Sequence, residues 1–92
     1  MNFEWDATKA TVNLRKHGVA FEDAIRVFLD SGRIEAFDER NDYGEDRWIT
    51  IGQVYTAILY VVYTVRHEDT MRIISARKAL SHEQKRYYEA NT

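Results

Sequence analysis

Two hydrophobic runs dominate the chain. Ile58 to Arg66 is the most apolar and β-branched stretch, and Arg72 to Ala79 follows it with basic residues at both ends. The polar link His67 to Thr70 between them gives the signature of an antiparallel hairpin. Upstream, Asn2 to Trp5 reads as a short first strand. Asp6 is an N-cap for a helix over about 7–17, with Ala7, Ala10 and Leu14 at helical spacing, Lys16 and His17 in the last turn, and Gly18 as the left-handed stop. Phe21, Ala24, Ile25 and Phe28 predict a second helix, weakly started by Ala20 and ended by Asp30-Ser31-Gly32. Strands are expected over 33–37, 47–54, 57–66 and 71–78. The polar segment 38–46 reads as a loop, with Asn41-Asp42 and Gly44 as turn signals. Ser81-His82-Glu83-Gln84 fits a capping box, with Ser81 at the N-cap of a thin last helix carrying Tyr87 and Tyr88. The order β-α-α-β-β-β-β-α predicts an α+β domain with an antiparallel sheet, two N-terminal helices and a short C-terminal one. Without proline, repeats or linkers, residues 1–92 form one domain.

Side chains alternate along a strand, so register decides which residues meet. A two-residue turn at Tyr55-Thr56 sets Trp48 opposite Tyr63 and Ile49 opposite Val62. A turn of two or four residues within 67–70 sets Arg66 opposite Met71 and Val62 opposite Ser75. One face then displays Arg47, Thr64, Arg66, Ser75 and Arg77, together with Ile49, Ile51, Ile58, Tyr60, Val62 and Ile73. The other carries Trp48, Leu59, Val61, Tyr63, Val65, Ile74 and Ala76, the expected core against the first two helices. A three-residue loop at 67–69 would instead turn Arg77 toward Leu59 and Val61. The first face is half apolar, so the last helix or a partner protein must cover part of it.

The 92 residues are 45% hydrophobic and 30% charged, with no cysteine, as in a small soluble domain. No disulfide, thiol nucleophile or cysteine zinc site exists. No apolar run is long enough to span a membrane, and the opening residues do not form a signal peptide, so a cytoplasmic location is expected. Net charge is −2, but residues 1–46 hold six Lys/Arg against eleven Asp/Glu, and residues 47–92 seven against four. The C-terminal half thus has a basic surface to offer a polyanion, unless these charges form only solvated faces.

Three arginines on one sheet face form an anion site, because guanidinium binds phosphate through paired hydrogen bonds and stays charged. RNA brings its own nucleophile, the 2′-hydroxyl, so cleavage needs positive charge and proton transfer but no metal or cofactor. Candidates for proton transfer are His17, Lys9, Lys78, and Tyr87 or Tyr88. Each has a plainer reading: the arginines as ion-paired strand ends, His17 as a helix-terminal cation, Lys9 as a solvated or paired charge, a tyrosine as the anchor of the last helix. The histidines lack metal-ligand spacing, and no HExxH, Gly-rich phosphate loop or nucleophile elbow occurs. A non-catalytic module that docks an acidic segment or phosphate on the same arginines is the alternative function.

Phe3-Glu4-Trp5-Asp6, Lys9, Asn13, Lys16-His17-Gly18-Val19, Phe21-Glu22-Asp23-Ala24 and Val27-Phe28 resemble the opening of the BrnT toxin family. Glu45-Asp46-Arg47, Ile51-Gly52, Val61-Val62, Thr64, Arg66 and the run Arg72 to Ala79 resemble its remainder. The resemblance implies a RelE-like fold and a metal-independent endoribonuclease toxin of a bacterial type II toxin–antitoxin system. It further implies neutralisation by a BrnA-like ribbon-helix-helix antitoxin in a 2:2 heterotetramer that contacts DNA only through the antitoxin. The motif positions carried over are Arg47, Arg66, Arg77 and Lys78, with Lys9, His17 and a tyrosine of the last helix, here Tyr87, more loosely matched. Ser75 and Thr64 join Lys78 and Tyr87 as expected RNA contacts.

Overall fold

The computed structural model describes residues 1–40 and 44–92, so the expected turn at Asn41-Asp42 lies outside the described residues. After strand β1 (Asn2–Glu4), helix α1 runs Ala7–His17. The Asp6 carboxylate accepts from the Lys9 amide at 2.9 Å, and Gly18, at φ 70°, donates its N–H to the Leu14 carbonyl at 2.8 Å. Helix α2 (Phe21–Ala24) tightens into a 3₁₀ segment, Ile25–Leu29. That segment lies directly on the sheet because Gly52 has no side chain. A Cβ there would come within 2.8 Å of Val27 Cγ2. Strands β2 (Ile34–Phe37), β3 (Trp48–Val54), β4 (Ala57–Arg66) and β5 (Thr70–Lys78) follow, then helix α3 (Ser81–Ala90). No helix among the described residues is long and apolar enough to cross a membrane.

The five strands form one sheet in the order β1-β5-β4-β3-β2. Every pairing is antiparallel except β1–β5, which is parallel and makes the sheet mixed. The β3–β4 register is the expected one, with Trp48 opposite Tyr63 and Ile49 opposite Val62 across the Tyr55-Thr56 turn. The β4–β5 hairpin differs at its tip. Arg66 pairs with Thr70 and not Met71, which leaves the three-residue loop 67–69, and His67 there takes φ 59°. Such a loop alone would invert Arg77. A β-bulge prevents this: the pairing passes from Tyr63–Ile73 to Val62–Ser75, and Ile74 has no opposite number. The extra residue restores the phase, so Arg77 lies opposite Tyr60. Between tip and bulge the expected facing is corrected. Ile73 joins the helix-side core, Ile74 the other side, and Arg72 falls opposite Thr64.

Each sheet face carries its own apolar layer. Leu59, Val61, Tyr63, Ile73 and Ala76 pack against Phe21, Ala24 and Val27 on one side. On the other, Ile51, Ile58, Tyr60 and Val62 pack with Ala79 and Tyr87, so α3 supplies the cover that the half-apolar face demands. Two hydrogen bonds hold the C-terminal end of α3 down. The Tyr87 hydroxyl donates to Asp30 Oδ2 at 2.5 Å, and the Asn91 amide donates to the Gly32 carbonyl at 2.8 Å. The helix starts one residue earlier than its capping box suggests: Leu80 is the N-cap, and Glu83, not Gln84, accepts from its N–H at 2.7 Å.

The buried residue of α1 is Asn13, whereas Leu14, expected on the inner face, is 48% exposed. β1 pairs with β5 only as far as Arg72, which leaves the outer edge of β5 open beyond it. Asn13 fills that edge. Its Nδ2 donates to the Ala76 carbonyl at 2.8 Å and to the Val19 carbonyl at 3.0 Å, while its Oδ1 accepts from the Ala76 N–H at 3.1 Å. A side-chain amide therefore does the work of a missing strand residue. Asn13→Ala would leave buried backbone groups without partners and should lower unfolding stability by about 2–4 kcal/mol in urea titrations. Asn13→Asp, which sets carboxylate oxygens against two carbonyls, should cost at least as much.

Candidate functional site

Alternation along β4 sends Tyr60, Val62, Thr64 and Arg66 to the α3 side, and pairing adds Ser75 and Arg77 from β5. At one end of this face Arg77 makes a two-pronged pair with Glu83, Nη1 to Oε1 at 2.7 Å and Nη2 to Oε2 at 2.9 Å. Its guanidinium carbon lies 3.8 Å from the Tyr60 ring centroid, so the group is stacked as well as paired. Arg40 comes in from the loop after β2, its guanidinium carbon 6.0 Å from the same ring. It makes two 2.8 Å hydrogen bonds to Asp38, whose carboxylate is fully buried. Asp38 is placed by its N–H, which donates to the Arg47 carbonyl at 2.8 Å and closes the base of the loop.

At the other end Arg47 and Arg66 share one carboxylate. Glu45 accepts from Arg47 Nε at 3.2 Å and from Arg66 Nη2 at 3.4 Å. Thr64, two residues before Arg66 on β4, donates its hydroxyl to the Asp46 carbonyl at 2.5 Å. Tyr60 and Arg66 are six residues apart on β4, about 20 Å at ~3.3 Å per residue. The arginines therefore form a row along the strand and not one cluster: Arg77 and Arg40 at Tyr60, Arg47 and Arg66 at Glu45. Arg72, brought to this face by the three-residue tip, is paired with Glu4 at 2.5 Å.

The ion pairs set the ionisation. The Arg77 hydrogen bonds hold the Glu83 carboxyl below its ordinary range, and Glu83 in turn raises Arg77. The hydrogen bonds from Arg40 do the same to Asp38. Burial pushes the Tyr60 phenol up, against the pull of the two guanidinium groups. Tyr87 is raised to about 12 by its hydrogen bond to Asp30. Burial alone would raise Asp30, but the Gln53 amide, the Tyr87 hydroxyl and the Gly32 amide together bring it lower.

The structure thus brings Arg47, Arg66, Arg77, Thr64 and Ser75 onto one face, as the register argument expects. It does not bring the other candidates there. Lys9 and His17 are on α1, whose Ala10 and Asn13 pack on the opposite side of the sheet. Lys78 pairs with Leu59 and so projects to that opposite side too. Tyr87 points into the core beneath α3 with its hydroxyl committed to Asp30, and Tyr88 is the exposed ring. Arg40, Asp38, Tyr60 and Glu83 complete the face without having been singled out from the sequence. Tyr60 was legible as a member of the face. Arg40 and Glu83 reach it only through the loop path and the docking of α3.

Comparison with known proteins matches these features to a class. Residues 5–83 match the family described as the ribonuclease toxin BrnT of type II toxin–antitoxin systems. The crystal structure of the Brucella abortus ribonuclease toxin BrnT superposes with a TM-score of 0.68 at 26% identity, over 88% of this chain and 99% of that one. No curated protein matches the chain by sequence. The small mixed sheet, its two-sided helical cover and the family match define a toxin of the type II toxin–antitoxin class. The chain belongs to the BrnT family.

A carboxylate whose native pKa is depressed stabilises the fold above its ordinary value and loses that contribution as pH falls through the native one. Glu83, Asp38 and Asp30 all have this sign. The melting temperature should therefore hold near neutrality and fall below the ordinary glutamate value of 4.5. Glu83→Gln should reduce the steepness of that fall in a pH series of thermal melts.

Proposed function

We propose that this chain is a metal-independent endoribonuclease that runs the RNA backbone along the arginine row. The observation that carries the proposal is that the guanidinium carbons of Arg77 and Arg40 lie 3.8 and 6.0 Å from the centroid of one ring, Tyr60, and we assign the first phosphate to this pair. Arg47 and Arg66 take a second phosphate further along the strand. In the reaction the 2′-oxygen bonds to the adjacent phosphorus and the P–O5′ bond breaks. A base takes the 2′-proton and an acid returns one to the 5′-oxygen, leaving a 2′,3′-cyclic phosphate and a 5′-hydroxyl. Negative charge grows on the phosphoryl oxygens in the transition state, where fixed guanidinium donors act most strongly. With Lys9 and His17 on the far layer, this scheme assigns proton transfer to His82, one of the residues lining the cleft with Glu83 and Tyr60. The charge in this scheme is supplied by arginine, which stays protonated at any relevant pH.

Membership of a type II system supports a protein antitoxin as partner. The partner in this reading is a BrnA-like ribbon-helix-helix protein in a 2:2 assembly, with DNA touched only through it, in the cytoplasm. One observation favours the alternative of a non-catalytic docking module: the arginines on this face are already engaged by carboxylates, as in a surface that exchanges one acidic partner for another.

A single assay separates the two readings. Purified protein in EDTA should cleave RNA and leave cyclic phosphate ends. Arg77→Ala would strand the buried Glu83 and cost several kcal/mol of stability, so Arg77→Lys is the cleaner variant. It keeps the charge beside Glu83, loses the fork, and should slow cleavage about 10²-fold with a smaller fall in melting temperature than Arg77→Ala. His82→Ala should lose ~10²-fold or more. Parental rates in Arg77→Lys would remove this centre, and absence of cleavage by the parent would leave the docking reading.

A further inference from the structure

A cleft of about 140 Å³ opens beside the Arg77 pair, between α3 and the β2–β3 part of the sheet. Its floor is apolar, made by Ile34, Ile49 and Ile51, and Tyr60 forms the wall it shares with Arg77. The opposite wall is α3, where His82 and Arg86, one helical turn apart, face the cleft. Arg86 differs from the arginines of the row. Among the described residues it has neither an ion pair nor a hydrogen bond, while Glu83 beside it is committed to Arg77 and to the Leu80 amide. An unengaged guanidinium in the wall of a cleft with an apolar floor, next to the Arg77 pair, is an arrangement for reading a planar ring with acceptors on its edge.

We propose that this cleft is a nucleobase subsite and that it selects guanine. The inference rests on the reading of the arginine face as an RNA site and adds what decides the sequence. With the phosphate on Arg77 and Arg40, an unstacked base turns onto Ile49 and Ile51 with its edge toward α3. Two guanidinium N–H groups of Arg86 match the O6 and N7 acceptors of guanine. Adenine presents an amino donor where guanine has O6, and this faces another donor. Pyrimidines lack the N7 acceptor and cover less of the floor. Arg86 is thus a specificity-determining residue and Arg77 a sequence-blind one.

Binding of short non-cleavable oligonucleotides tests this independently of catalysis. The probes are 2′-O-methyl trimers that differ only in a central guanine or adenine, titrated against the full chain. The guanine trimer should bind about tenfold tighter or better, the discrimination of one bidentate contact. Arg86→Ala and Arg86→Lys should both erase the difference, because lysine lacks the fork. Arg77→Lys should weaken both trimers alike and keep the ratio. Equal binding of the two trimers by the parent, binding of neither, or a ratio that survives in Arg86→Ala would each overturn the subsite. A parent that prefers guanine in this way yet leaves RNA uncut would refute the nuclease reading alone.

Discussion

The sheet depends on one carboxamide. β5 is next to the edge of the sheet, and β1 shields it for only three residues. Beyond Arg72 its outer edge has no strand neighbour, yet this is the half of β5 that carries Ser75, Arg77 and Lys78. Asn13 meets both open groups of Ala76 and a carbonyl after its own helix. A short first strand leaves an unpaired edge that invites mispairing with other chains. A single side chain on α1 removes that hazard and fixes the helix to the sheet. The helix-side core then closes around a fixed reference.

The second layer works by a different logic. α3 buries one ring, Tyr87, and the helix is held in place by polar contacts at both of its ends. Glu83 serves twice, closing the first turn of the helix through the Leu80 amide and neutralising Arg77. The arginine row is therefore a surface whose charge is largely internally balanced in the free chain. A polyanion docking there, as proposed, would have to outcompete carboxylates that are already well placed.

Much of this was legible in the sequence where the causes are local. The Asp6 and Gly18 caps fix α1 to its expected limits, and the two-residue turn at Tyr55-Thr56 fixes the β3–β4 register. Period-two alternation then places Arg66 and Thr64 together, where Arg66 shares the Glu45 carboxylate with Arg47. What was not legible has tertiary causes. Asn13 looks like any polar helical residue until the missing strand beside Ala76 is seen. Leu14 has the right spacing for the core, but the helix turns its amide side inward. Arg40 follows a polar loop with no periodicity, and Glu83 is aimed by the docking of α3. Lys9, His17 and Lys78 fall on the wrong side because a motif along a chain does not say which layer each of its parts will occupy.

The bulge at Ile74 separates what the hairpin tip decides from what the strand beyond it decides. Facing at residues 75–78 is reset there, so the length of the 67–69 connection and the extra residue at position 74 offset each other. A one-residue change in either would be cancelled by the opposite change in the other. The tip is thereby free to drift in length during evolution so long as the strand compensates, and the guanidinium group a few residues downstream keeps its direction throughout.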